Sequence, residues 1–423
     1  MRILVLGAGA REHAIVLALG SEEERHEIFA APGNAGIARD ATIVDLDPDS
    51  PAAVIGFALA ENIDLVVIGP EAPLVAGVAD AVRERGIPAF GPGRAAARLE
   101  GSKAFAKRIM EAAGVPTGRA TRARTLDEVS AALDTFGAPH VVKADGLAAG
   151  KGVIVTDDRA AALAHAETYL PTGPVLIEEF LAGPEVSLFF LSDGDRVLPL
   201  SPAQDFKRLA DGDAGPNTGG MGAYSPLPWL AERFGTEDAF VDLVTREVAA
   251  PVIRQLDAEG TPFIGLLYAG LIVTDSGVKV IEFNARFGDP ETQVVLPRLA
   301  DPLSELLLAA ASGRLEGVSR PRFTDDKAVT VVLASEGYPE RPITGRTIEG
   351  TDAAAGVAGV HLAHAATRAD GDDGDDLVAT GGRVLNVVAV APTFAEARDR
   401  AYDAMSRIAL EGGQFRTDIA AQA

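Results

Sequence analysis

Residues 141–152 read VVKADGLAAGKG, and this stretch decides how the middle of the chain is built. A short β-branched run ends in Lys143. A loop carrying Gly146, Gly150 and Gly152 follows, with a second lysine, Lys151, inside it. Glycines let backbone N–H groups approach a phosphate closely, and ammonium groups on flexible stems supply point charges to it. The Walker spacing is absent, because Gly152 stands where a serine or threonine would bind magnesium. A triphosphate is therefore expected under a glycine lid. Of the 38 basic residues only seven are lysine, at 103, 107, 143, 151, 207, 279 and 327. Arginine fills nearly every other cationic position, so each lysine is a candidate for a local demand such as following a moving phosphate.

Working outward, the 423 residues are enough for about two to four domains. A hydrophobic share of 47% with 23% charged residues is ordinary globular composition. No apolar run approaches the ~20 residues of a membrane span, and the chain opens directly with a strand, so neither membrane nor leader is expected. The absence of cysteine removes disulfides and thiolate chemistry and fits a reducing cytoplasm. A net charge of −23 argues against nucleic acid as partner. It also means that polyanionic small molecules must be met by local clusters of cations and by metal ions.

The first hundred residues alternate strand and helix. Apolar strands are predicted at 2–6, 27–31 and 64–68, ending in GAGAREH, PGNAG and GPE. Such short apolar strands between helices imply a doubly wound parallel sheet, with ligands beyond the carboxyl ends of the strands. Next, Ser102 is placed to cap a helix in which Phe105, Ile109 and Ala113 share a face and which Gly114 closes. Two strand-rich lobes follow, to about residues 190 and 325. The last hundred residues should hold strands at 328–333 and 383–390 and a helix from about 394 to 408. Residues 370–376, DGDDGDD, read as a hairpin tip or surface loop, since EF-hand spacing is missing.

Residues 280–291, VIEFNARFGDPE, are the strongest partner to the lysine loop. On a strand, Glu282, Asn284 and Arg286 would share one face while Ile281, Phe283 and Ala285 turn to a core. Glu282 and Asn284 are hard oxygen ligands suited to magnesium, and Arg286 can neutralise a phosphoryl group or grip a carboxylate. In 174–190, PVLIEEFLAGPEVSLFF, a purine can lie between two apolar strands and pair with the linker backbone, leaving Glu185 for ribose hydroxyls. The glycine-dense segment 213–226 carries an entropy cost that a nearby ligand would justify. Among the six histidines no metal site is expected. His361 and His364 lie three apart without further ligands, and only His13 has functional prospects.

Taken together, EGSKAFAK (100–107), KADGLAAGKG (143–152), GPNTGGMGAYSP (215–226) and EFNARFGDPET (282–292) resemble the ATP-grasp ligases. More closely they resemble the phosphoribosylamine–glycine ligase (glycinamide ribonucleotide synthetase) family. GAGAREH (7–13), PGNAG (32–36), GPEAPLV (69–75) and, more loosely, GGRVLNVVA (381–389) look like the same family. The resemblance implies an α/β fold: an N-terminal doubly wound parallel-sheet domain (1–100), a two-lobed α+β ATP-grasp centre (101–325) and a small C-terminal α+β domain (326–423). A mobile lid lobe would span about 117–190. It implies ATP-dependent joining of glycine to 5-phosphoribosylamine, with Mg²⁺, or alternatively Mn²⁺, on Glu282 and Asn284.

By the same resemblance Lys103 and Lys143 would bind ATP phosphates and the loop 146–152, with Gly146, Gly150, Lys151 and Gly152, would fold over them. Glu178, Glu179 and Leu181 would hold adenine, and Glu185 the ribose. Gly9, Arg11, Glu12, Asn34, Gly36 and Glu71 would take the phosphoribosylamine, and Asp213 and Arg286 would orient glycine. Lys143, Asp213 and Arg286 are the expected catalytic residues. The strand at 268–273 offers no carboxylate, so the metal shell would lean on ATP oxygens and water. The implied protein is a cytoplasmic monomer, with small-molecule partners and a transient contact to the enzyme that supplies phosphoribosylamine.

Two other classes fit less well. For a nicotinamide-dependent oxidoreductase, Glu12 stands where the third fingerprint glycine belongs, and the second strand ends in Ala31-Pro32 rather than an acid. A non-catalytic ATP-binding regulator would have no use for Glu282, Asn284 and Arg286 together. The nearest rival is a carboxylating ligase of purine synthesis.

Overall fold

The computed structural model describes residues 1–146, 152–370 and 376–423. Three apolar runs of four to six residues, flanked by two two-residue edge strands, build the first sheet, with Thr42–Ile43, Glu27–Pro32, Arg2–Gly7, Leu65–Ile68 and Ala89–Phe90 side by side in that order. All are parallel. Ile3, Leu4, Val5 and Leu6 are fully buried, as a central strand covered on both faces requires. The carboxyl ends open onto the loops at 7–10, 33–36 and 69–71. The helix Lys103–Ala113 starts where expected: the Ser102 side chain accepts from Phe105 N, and Gly114 closes it in a left-handed conformation at φ 67.

Two antiparallel sheets face each other beyond that helix. The smaller runs Ala120–Ala123, Val175–Glu178, His140–Ala144, Val153–Thr156, backed by the helices Leu126–Phe136 and Arg159–Tyr169. The larger runs Val197–Pro199, Glu185–Asp193, Ile264–Thr274, Gly277–Asn284. Along Glu185–Asp193 side chains alternate between two cores. Val186, Leu188 and Phe190 pack with Ile109 and Val252, while Phe189 and Leu191 pack with Leu303 and Leu307.

The third large sheet is not local in sequence. Gln204–Asp205 and Gly222–Ser225 add to Lys327–Ala334, Arg383–Ala391 and Val360–His364, all antiparallel, against the helix Phe394–Ser406. The glycine-dense segment is thus structured as strands that tie the centre of the chain to its end. Thr367–Asp370 and Asp376–Ala379 pair antiparallel on either side of 371–375, the acidic residues that lie outside the described ones. Among the described residues no helix is long and apolar enough to cross a membrane.

Candidate active site between the two central sheets

Lys143 leaves the strand His140–Ala144 almost wholly buried and reaches across the gap. Its Nζ sits 2.8 Å from Glu178 Oε2 and donates to Ile281 O of the opposite sheet at 3.4 Å. Glu178 also holds Lys107, whose Nζ is 3.3 Å from Oε1 and donates to Thr117 Oγ1 and Gly118 O. One buried carboxylate therefore carries two ammonium groups. Burial, with help from Lys143, pulls the Lys107 ammonium below its ordinary value despite Glu178. Glu178 faces these lysines, and its side chain holds both cations in place. Glu179 pairs with Arg119 and Lys279; burial opposes its ionisation, but these partners bring its carboxyl down to about 2. Leu181 packs beside Gly118. Gly146 and Gly152 flank residues 147–151, with Ala144 N donating to Gly152 O; those residues, Gly150 and Lys151 among them, lie outside the described residues.

Glu282 and Asn284 stand on Gly277–Asn284, opposite Gly270 and Tyr268. Burial alone would raise the Glu282 carboxyl, yet Lys207, Lys103, Lys143 and Arg286 together hold it below the usual range. This is a carboxylate kept ionised inside a ring of cations. Arg286 differs from expectation: the strand stops at Asn284, and Arg286 follows it in a bend. Its guanidinium turns back to pair with Glu100 at 3.0 Å and, more loosely, Glu71 at 3.9 Å, while Nη2 donates to Asn284 Oδ1 at 3.5 Å. Burial works against that charge, but Glu100, Glu71 and Glu291 raise its pKa further still. The Nε of Arg286 is buried with no hydrogen-bond partner among the described residues. Phe283 and Ala285 are buried as expected, whereas Ile281 is only partly so.

Four residues at the site had no assigned place in it from the sequence. Glu100, at the end of the helix Arg94–Gly101, holds Arg286 and accepts from Ala285 N at 2.8 Å. Lys207 bonds Glu185 and lies among Asp205 and Glu282, so Glu185 already has a cationic partner. Burial and the acids Glu291, Glu185 and Glu282 push Asp205 up to about 7, against the pull of Lys207. Glu291 is buried under Tyr268 and Ser187, whose hydroxyls both donate to its Oε1. For Lys207 the scarcity of lysine was the available signal.

In the N-terminal domain the expected substrate residues split into frame and cleft. Glu12 is buried; its carboxylate accepts from Gly9 N at 2.6 Å and from Arg11 Nε at 2.6 Å. A Cβ at Gly7 or Gly69 would run into it, so the glycines of two strand ends make room for one carboxylate. Arg11 is buried and donates on to Phe287 O. Asn34 Oδ1 accepts from Gly36 N and Ile37 N, and its Nδ2 donates to Ala8 O and His364 O, which occupies the whole amide. Gly36 is wedged against His13 and His364. His13 is itself structural: buried, accepting at Nδ1 from His364 N and pairing through Nε2 with Asp40 at 3.0 Å. A cleft of ≈ 420 Å³ remains here, lined by Gly9, Asn34 and Asp289 and, from the end of the chain, Thr367, Thr380 and Arg383.

Asp213 is not joined to Arg286. It lies at the tip between Arg208–Ala210 and Ala214–Asn217, with Arg416 Nη1 2.8 Å from its Oδ1. Among the described residues no group of three or more acidic or histidine side chains could hold a metal alone. Glu282 and Asn284 offer two hard oxygens, which fits an ion whose other ligands are phosphate oxygens and water.

Family models match along the chain in three pieces. These are the phosphoribosylglycinamide synthetase N domain over residues 1–100, its ATP-grasp (A) domain over 101–292 and its C domain over 328–422. The phosphoribosylamine–glycine ligase of Leifsonia xyli subsp. xyli is 69% identical, covering 100% of both chains. That of Streptomyces coelicolor is 57% identical over 100% of this chain and 99% of its own. The crystal structure of phosphoribosylamine–glycine ligase from Thermotoga maritima superposes with a TM-score of 0.80 at 33% identity, covering 99% of this chain and 100% of the other.

Proposed function

Because the chain belongs to the phosphoribosylglycinamide synthetase family, we infer that it joins glycine to 5-phosphoribosylamine at the expense of ATP, in purine biosynthesis. The observation that carries this reading is the reach of Lys143 across the two central sheets to Ile281 O, next to Glu282 on the opposite strand: ammonium groups on one wall, a carboxylate held ionised by the surrounding cations, with Asn284, on the other. Lys103 and Lys143 would take the ATP phosphates, and the linker 178–185 would take the nucleoside. Glu282 and Asn284 would hold Mg²⁺, or Mn²⁺ in its place, which neutralises phosphate charge when bound.

Glycine is a zwitterion and needs one cation and one anion. Arg286, whose Nε makes no hydrogen bond and lies 3.9 Å from Glu71, suits the carboxylate, and Asp213 suits the ammonium. A glycine carboxylate oxygen then attacks the γ-phosphorus, the bond to the β–γ bridging oxygen breaks, and ADP leaves. The amine of phosphoribosylamine attacks the resulting acyl phosphate at carbon, inorganic phosphate departs, and the nitrogen loses its proton. Lys143 and Arg286 balance the moving charge, and no protein nucleophile is needed. A lid over the phosphates would keep water from the acyl phosphate. The cleft between the first and last domains, lined by Gly9 and Asn34, suits the phosphoribosyl group, and Arg11, Glu12, Gly36 and Glu71 are the further residues that would take phosphoribosylamine.

The units 1–100, 101–325 and 326–423, with a lid lobe near 117–190, would then divide the work as sugar cleft, nucleotide clamp and closing wall. We place the enzyme in the cytoplasm as a monomer that briefly meets the source of its labile amine. Light scattering that returned a stable dimer would end the monomer reading. ADP release should require both glycine and freshly generated phosphoribosylamine, and each omission should abolish it. Release that persists without glycine but follows bicarbonate would instead mark a carboxylating ligase.

A further inference from the structure

The last residues of the chain form a clasp on the hairpin tip that carries Asp213. Arg416 is only 1% exposed although it is an arginine with just seven residues after it in this sequence. Its Nε and Nη2 form a fork on the two oxygens of Asp418, each at 2.7 Å, and its Nη1 donates to Asp213 Oδ1 at 2.8 Å and Arg208 O at 3.2 Å. The guanidinium lies over the Phe206 ring, 4.9 Å from its centroid. Asp418 Oδ2 accepts from Gly212 N, and Asp211 receives both the N–H and the hydroxyl of Thr417. Every residue from 211 to 213 is thus gripped by one from 416 to 418.

The grip has an object. Asp213 holds a left-handed φ of 54, which a residue with a Cβ rarely adopts without support. Its side chain is 71% exposed, so the carboxylate is presented outward although one oxygen is anchored on a buried cation. Oδ2 has no protein partner among the described residues and keeps its lone pairs. A carboxylate fixed by one oxygen and open at the other is an arrangement for receiving an ammonium group at a defined place.

We propose that Arg416 is a positioning residue of the ligation reaction: from the C-terminal tail it sets Asp213 to receive the ammonium group of glycine. This rests on the reading of Asp213 given above, and the test separates the two. Steady-state kinetics would be measured for R416A, R416K, D213N and the double variant R416A/D213N, with thermal melting alongside. R416A should raise KM for glycine about tenfold or more while leaving KM for ATP within about twofold, the mark of a displaced binding group. R416K, which keeps the charge but loses the fork, should recover part of the loss. In the D213N background the R416A change should have no further effect on glycine. Additive effects would overturn the positioning role while leaving Asp213 in place, and so would equal rises in KM for glycine and ATP. An unaltered glycine KM in D213N would remove the premise and the proposal with it. Should R416A fail to fold, R416K alone decides: a rise confined to glycine supports the clasp, and a wild-type glycine KM overturns it.

Discussion

Glu178 shows what a single residue does in this site. Beside Lys143 and Lys107 it is the counter-charge that lets two ammonium groups stay in a nearly dry gap. Removing one member of a buried pair leaves the other uncompensated, which costs about 3–5 kcal/mol. Glu178→Ala should therefore lower unfolding stability by about that amount, read by urea titration, and weaken ATP binding as the lysines lose their set positions. A melting curve like that of the parent would show that the lysines find other partners. Arg286→Ala is the complementary case, where loss of a charge partner for the transferring phosphoryl group should cut turnover by about 10²–10³. Parental turnover in that variant would remove Arg286 from the chemistry. Legibility at this scale followed chemistry that the residue type itself declares. Lys143 stood out because lysine is scarce, and Glu282 with Asn284 because of period-two spacing. Glu100 did not, since a glutamate near a helix end looks like any solvated one until a chain segment 185 residues away brings Arg286 and Ala285 onto it.

Elements were legible where their stabilisation is local. The helix Lys103–Ala113 declares its start in Ser102 and its end in Gly114, and the structure has both caps. Ser102 does a second job: its hydroxyl donates to Asp145 Oδ1 at 3.1 Å, so the cap also ties the helix to the first residues of the lysine loop. Ser102→Ala should cost about 1 kcal/mol from the cap alone. Because Ala104 N also bonds Asp145 Oδ1, a fall in melting temperature with unchanged KM for ATP would limit Ser102 to capping and deny the tie any role in nucleotide binding. The strands Gln204–Asp205 and Gly222–Ser225 illustrate the opposite case. Gln204–Asp205 pairs with Gly222–Ser225, and Gly222–Ser225 pairs in turn with Lys327–Ala334 about a hundred residues on; antiparallel pairing at that separation leaves no periodic trace in either segment. Glycine density announced unusual backbone there, but the sheet it joined was set by the distant apolar strand. Arg286 failed for a related reason, since period-two spacing holds only while the strand lasts and this one ends at Asn284.

At the scale of the whole molecule the first and last domains are sewn together by imidazoles and one amide. Asn34 donates to His364 O, His364 N donates to His13 Nδ1, and the His364 ring donates to or accepts from Thr367 Oγ1 at 3.0 Å. His13, Arg39 and Asp40 face His364 across the seam, and His361 shares its strand. Burial first, and then the neighbouring His13, bring His361 from 6.5 down to about 4; burial, His13 and Arg39 bring His364 down to about 3, with Asp40 opposing. In the unfolded chain both would titrate near 6.5, so between the two values the unfolded state binds more protons. The sign follows: the seam's contribution is complete above about pH 6.5 and is lost as pH falls toward 4. For His364 alone the loss should be on the order of 3 kcal/mol at pH 4. His364→Gln cannot take up that proton, so its urea midpoint should fall less steeply than the parent's between pH 6.5 and 4, while lying lower at neutral pH where the native packing is intact. Parallel curves would mean that His364 is not what charges when the domains part. The same variant reports on the cleft proposed for the phosphoribosyl group, since Ala365, Ala366 and Thr367 line it and the His364 ring is hydrogen-bonded to Thr367. KM for phosphoribosylamine should rise on acidification in the parent and be less sensitive to pH in the variant.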